Sequence, residues 1–138
     1  MIFLDTTPLV ALCDPRDRLN PKALRDLDRL AKRPLVVCEP VLTEACFLLP
    51  HRTQRERLHR FLVEFAVQSH RCIDVAAFRL EVFAWLLRYE QHAPDWADGY
   101  LAVASSHERS AGVWTYDSEF RTIWRRPDGT RIRLAVAV

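Results

Sequence analysis

"MIFLDTTPLV", Met1 to Val10, runs an apolar segment straight into a carboxylate at Asp5. Two readings fit. Asp is a common turn residue and a good N-cap for a helix that starts at Thr6 or Thr7. Alternatively, Ile2 to Leu4 is a central strand with Asp5 at its carboxyl end, where open α/β sheets bind ligands. The choice depends on whether other acids reach the same edge.

The rest of the chain alternates short apolar strands with helical segments. Thr7 to Leu12 reads as a short helix. "NPKALRDLDRLAKR" reads as a second, with Asn20 as N-cap and Pro21 at its first position. Leu35 to Cys38 is a buried strand. Pro40 opens a compact helix that Pro50 ends, and "TQRERLHRFLVEFAVQSH" is an amphipathic helix. Cys72 to Val75 reads as a short strand, followed by a helix carrying Phe78, Val82, Trp85, Leu86 and Tyr89 on one face. Asp95 caps a helix that runs to about Ser110, with Gly112 as its stop. Val113 to Thr115 is the next strand. "PDGT" is a turn, and Arg131 to Val136 alternates as an edge strand would. Strands alternating with helices imply βαβ units and a mostly parallel sheet, covered by helices in a single domain over residues 1–138.

Composition narrows the function. With 138 residues, 49% hydrophobic and 28% charged, the chain fits one globular core. A formal net charge of +2 gives no strong overall field toward nucleic acid or membrane. Arginines crowd "RTIWRRPDGTRIR"; an edge strand protected by charge explains them slightly better than contacts to an RNA backbone. Cys13, Cys38, Cys46 and Cys72 form no C-x-x-C pair and lie in apolar runs, as free thiols in a reducing compartment do. No signal peptide or membrane span is legible, which leads us to expect a soluble cytoplasmic protein. Three glycines leave no phosphate-cradling loop. The histidines show no metal-ligand spacing. Each of the four tryptophans suits the core, with room for one at an interface.

Three further acids bear on Asp5. Glu44 lies in the helix after Pro40, either in the row Val41, Glu44, Ala45, Leu48 or at the border of the row Leu42, Ala45, Cys46, Leu49. In "DWAD", Asp95 and Asp98 look like the N-cap and N3 of a capping box, yet Asp98 shares a row with Leu101, Ala102 and Ser105 and so points inward. Asp117 follows the Val113 strand much as Asp5 follows the first. Four carboxylates in a small volume repel one another, and a divalent cation with oxygen ligands is the economical reason to gather them. Magnesium or manganese suits such donors, and the matching chemistry is metal-assisted displacement at phosphorus.

The order of these motifs resembles the PIN-domain ribonucleases. "FLDTTPLV" is similar to their first motif, "VLTEACFLL" to the second, "DWADGYLAVAS" to the third and "VWTYDSEF" to the fourth, over nearly the whole chain. Size and layout look most like the VapC-type toxins of type II toxin–antitoxin modules. The resemblance implies a three-layer α/β/α fold and an acidic site of Asp5, Glu44, Asp98 and Asp117. Asp5, Asp98 and Asp117 would be the metal ligands, with Asp95, Thr115 and Thr6 as neighbours. It also implies an Mg2+- or Mn2+-dependent endoribonuclease cleaving single-stranded RNA, a homodimer, and a cognate antitoxin covering the groove.

Two rivals remain. A phosphoaspartyl enzyme would also carry Asp after its first strand, but Thr6 and Thr7 follow here, and no Lys occurs from Val63 onward. An inactive PIN-like module that binds RNA or protein would be expected to lack one of the four acids. Beside that module, the alternative to a toxin is an RNA-processing nuclease without an antitoxin.

Overall fold

The computed structural model describes residues 1–138. Strand β1 (Ile2–Leu4) is wholly buried and forms the centre of a four-stranded parallel sheet. Helices α1 (Thr6–Cys13) and α2 (Asn20–Leu30) lead to β2 (Leu35–Val37), and α3 (Glu39–Leu48) and α4 (Arg52–Glu64) lead to β3 (Gln68–Ser69). Helix α5 (Val75–Arg88), a single 3-10 turn at Glu90–His92 and α6 (Trp96–His107) then cross to β4 (Gly112–Trp114), before the short α7 (Glu119–Thr122).

The strand order is β3-β2-β1-β4. Ile2 stands opposite Leu35 on one side and Gly112 on the other, and Leu4 stands opposite Trp114. The chain therefore winds outward from β1 through β2 to β3, then returns to the far side of β1. That reversal creates a crevice at the carboxyl ends of β1 and β4, where doubly wound sheets place their ligands. Helix α1 packs against α2, α3 and α4, while α5 packs against α6. Gly99 permits the α5–α6 contact: a Cβ there would lie 3.1 Å from both Trp85 and Val82.

The strands are short, apolar and buried, as continuous Ile, Phe, Leu and Val runs in a parallel sheet should be. The core adds Phe120 and Trp124 to the strand residues, which include Trp114, so the last third of the chain closes it. Trp85 is also buried and donates its indole N–H to the Arg125 carbonyl at 2.7 Å. No helix is long and apolar enough to cross a membrane.

Several local expectations are corrected. The third strand is Gln68–Ser69, not Cys72 to Val75; the latter stretch bends into α5, with Asp74 accepting the Ala77 N–H as N-cap. Asn20 lies inside α2 rather than capping it, and its side chain instead donates to the Ala11 carbonyl at 2.8 Å. Gly112 belongs to β4, where it faces Ala135 closely, and is not a helix stop. The C-terminal edge strand shrinks to two isolated bridges. Leu134 pairs parallel to Val113, where Val113 donates to Arg133 and Ala135 donates to Val113, each at 2.8 Å, and Arg131 pairs antiparallel to Arg125. Arg126 is buried rather than solvated, donating to Ser105 and to the Arg109 carbonyl.

Candidate active site

Asp5 occupies the N-cap position of α1, but its side chain makes no cap hydrogen bond. Its backbone N–H donates to Trp114 at 3.0 Å, continuing the β1–β4 ladder one residue beyond the strand. Its carboxylate accepts the Thr115 hydroxyl at 2.6 Å. The turn-and-cap reading therefore explains the position of Asp5 in the chain but not what its side chain does. The residue is 5% exposed, and burial pushes its carboxyl up to about 7. The Thr115 hydroxyl and the Thr6 N–H pull in the opposite direction, while the charges of Glu44 and Asp117 add to the rise.

Thr115 ties two motifs together. The same oxygen that donates to Asp5 accepts the Asp117 N–H at 3.0 Å. The Asp117 carboxylate accepts the Glu119 N–H at 2.9 Å, a local turn that fixes its direction before α7. The two threonines after Asp5 have separate partners. Thr6 donates to Glu44 at 2.9 Å, joining the start of α1 to α3, and Thr7 accepts the Tyr116 N–H at 2.9 Å, joining α1 to the β4 loop. Threonine is a modest helix former, and here both hydroxyls cross-link the edge instead.

Glu44 is half-buried. Val41, Ala45 and Leu49 form the buried row of its helix, while Leu48 is half-exposed, so Glu44 lies at the border of the packed face. Burial raises its pKa most, with Asp95 and Asp117 adding to the rise and the Thr6 hydroxyl opposing it. Asp98 has two functions. It completes the capping box with Asp95, each carboxylate accepting the other residue's backbone N–H, at 2.8 and 3.0 Å. It also turns inward, and burial followed by the charge of Asp95 raises its carboxyl to about 8, with Asp5 contributing further. Leu101, Ala102 and Ser105, its expected row, are all buried.

Asp5, Glu44, Asp98, Asp117 and Asp95 thus act on one another through their charges across a single edge of the sheet. No three histidine, cysteine, aspartate or glutamate side chains are gathered tightly enough to hold a metal ion as they stand. The donor chemistry nevertheless fits a hard cation. All the donors are carboxylate oxygens, and burial together with neighbouring acids raises Asp5, Glu44 and Asp98, which disfavours their charged forms in the absence of a cation. Asp26, which matches no motif, stands apart: Tyr116 donates to it at 2.7 Å, and Lys22 pairs with it.

Comparison with known proteins agrees with this layout. The structure of Mycobacterium tuberculosis VapC20, described as a sarcin-ricin loop cleaving toxin, superposes with a TM-score of 0.71 at 20% sequence identity, covering 88% of this chain and 94% of that one. FitAcB from Neisseria gonorrhoeae superposes with a TM-score of 0.55 at 23% identity, covering 86% and 88%. Among curated proteins, none matches the sequence. The family model that matches is the PIN domain, over residues 2–124, and the chain belongs to the PIN domain family.

Proposed function

We propose that this protein is a divalent-metal-dependent endoribonuclease that cleaves single-stranded RNA, and that it is the toxin of a toxin–antitoxin pair. The observation that carries the enzymatic part is Asp5: a buried carboxylate at the β1–β4 crevice, bonded to Thr115 and pressed by the charges of Glu44 and Asp117. A purely structural Asp would be paired with a cation or would cap its helix, and this one does neither. The toxin part is supported by the layout shared with VapC20.

In this reading Asp5, Asp98 and Asp117 hold Mg2+ or Mn2+, and Glu44 orients water or shares the ion. The ion, when bound, supplies Lewis acidity at the scissile phosphodiester. Thr115 holds the Asp5 carboxylate in one orientation and Thr6 does the same for Glu44, so neither acid must reorganise during the reaction. Asp95 keeps Asp98 in place through the capping box. A cognate antitoxin and a homodimer complete the proposal.

The test is cleavage of a single-stranded RNA by purified protein. Activity should require Mg2+ or Mn2+ and vanish with EDTA. Cleavage that persists in EDTA would point to another mechanism, and binding of RNA without cleavage at any metal concentration would favour the inactive module. Co-purification with the product of a neighbouring small reading frame, which then blocks cleavage, would support the toxin assignment.

A further inference from the structure

A slot of roughly 630 Å³ opens from the acid cluster. Pro40, Thr43 and Phe47 of α3 line one side, with Trp96 at the start of α6 on the other; Glu44 and Asp95 belong both to the slot and to the cluster. Phe47 is 80% exposed. Trp96 is half-buried, and its indole meets Phe83 edge-on, with centroids 5.0 Å apart and planes at 61°, which restrains the ring. Two aromatic surfaces therefore flank a space that begins at the proposed reacting centre.

The polar lining consists of acceptors. The Thr43 hydroxyl is spent on the Glu39 carbonyl at 3.1 Å. Glu44 uses one oxygen for Thr6, and Asp95 uses one for the Asp98 N–H, which leaves the other oxygen of each free. Glu39, also in the lining, has no hydrogen-bond partner for its carboxylate. Phosphate is repelled by such a lining, and a purely aliphatic group would leave the carboxylates desolvated and unpaired. A planar group with amino donors on its edge satisfies both the aromatic walls and the acceptors.

Resting on the ribonuclease reading, we propose that this slot takes one unpaired nucleobase of the RNA substrate, stacked on Trp96 and Phe47, with its exocyclic amine facing the carboxylates of Glu39 and Asp95. Adenine, cytosine and guanine carry such an amine and uracil does not, so the slot discriminates against uracil at one position beside the cut. Carboxylates read base amino groups in this way elsewhere in nucleic-acid recognition. Stacking on an aromatic side chain contributes about 1–3 kcal/mol per base, or roughly 5- to 150-fold in binding.

The test places 2-aminopurine at successive positions of a single-stranded RNA and measures its fluorescence with protein carrying Asp5→Asn, so that the strand stays intact. One position should be quenched; Trp96→Ala should abolish the quench and Trp96→Phe retain most of it, with thermal melts confirming that both variants fold. In protein with Asp5 intact, Trp96→Ala should raise KM about tenfold with little change in kcat, and an abasic residue at the same position should remove that difference. Glu39→Gln should narrow the preference against uracil. Equal quenching with and without Trp96, or no base preference at the cut, would overturn the proposal. So would unchanged RNA behaviour in Trp96→Ala together with lost self-association on sedimentation, which would make the slot a protein contact. Cleavage without dependence on Trp96 sinks the slot alone; Trp96-dependent quenching without cleavage by the parent sinks the ribonuclease reading alone.

Discussion

Two turns of this molecule carry aspartates with opposite physics. Asp5, at the end of β1, is buried, and its carboxyl is raised to about 7 by burial and by neighbouring acids. Asp128, in the turn after Trp124, is exposed and is held well below the usual range. The Thr130 hydroxyl and N–H lower it most, and Arg109 donates to it at 2.8 Å. Asp128 has every partner a carboxylate needs, whereas Asp5 has a hydroxyl, acids for neighbours and no cation. A satisfied carboxylate maintains a turn. A carboxylate that the fold buries without a cation is the arrangement that the proposed metal site requires.

The largest effect that can break this contrast is on activity. Asp5→Asn or Asp98→Asn should lower RNA cleavage by about a thousandfold or more, as the loss of a group from a catalytic unit does. Asp128→Asn should leave cleavage within about twofold, because its partners are Thr130 and Arg109 alone. Initial rates on one RNA measure both. Equal losses at Asp5 and Asp128 would show that the distinction is not functional.

Thr115→Val should come next. It removes the hydroxyl that orients Asp5 while keeping the shape of the side chain, and loss of such a supporting hydrogen bond typically costs 10- to 100-fold in metal affinity or activity. Asp5 then loses its main charge-stabilising partner, so its titration should move further up. The pH–rate profile of the variant should shift to higher pH than that of the parent, which plain loss of packing would not produce.

A smaller effect concerns stability against pH. Asp5 and Asp98 titrate at about 7 and about 8 when folded, above an ordinary value of 3.8. Between about pH 4 and 8 the folded state therefore binds more protons than the unfolded state, and stability falls as pH rises through that window. Without metal, the melting temperature should be several degrees higher at pH 5.5 than at pH 8. Metal binding and cleavage should show the reverse trend and grow from pH 6 to 8 as the acids ionise. Asp128 has the opposite sign: whatever it contributes is present at neutral pH and is lost as pH falls below the usual carboxylate range. Asp128→Ala should therefore reduce the melting temperature only slightly at pH 7 and by less still near pH 2.

The parts of the fold legible in the sequence were those with a strong local cause. Ile2 to Leu4, Leu35 to Val37 and Val113 to Trp114 are apolar, β-rich and buried on both faces, and the chain placed them in a parallel sheet as expected. Gln68–Ser69 carries no such signal: it is two exposed polar residues, held as a strand only by pairing with Val36 and Val37. The apolar signal lies instead at Cys72 to Val75, where Cys72 approaches the Tyr100 hydroxyl and Val75 begins a helix. Arg131 to Val136 alternates as a strand should, yet Arg126 turns inward and the tail pairs only through two isolated bridges, Arg131 with Arg125 and Leu134 with Val113.

The acids followed the same logic. Each was legible from its place after a strand or within a helix row, but the connections between them were not. Thr115 donating to Asp5 links residues 110 apart in sequence, and Thr6 donating to Glu44 links residues 38 apart. Thr7 enters the sequence reading only as a helix start, although a second hydroxyl directly after Asp5 is a usable hint of a cross-linked edge. Composition alone does not separate Trp96 from the other three tryptophans; its place beside the N-cap acid Asp95 is the local clue to its half-exposed position.

The central claim is that Asp5 helps to hold a cation, and a thermal shift with manganese tests it most directly. At pH 8 the parent should melt at a higher temperature as Mn2+ is added, because the ion binds only the folded site. Asp5→Asn should start from an apo melting temperature equal to or above that of the parent, since one member of the repelling set has lost its charge, and should gain much less from Mn2+. An Asp5→Asn variant with the full manganese shift would contradict the account and return Asp5 to the role of a turn residue.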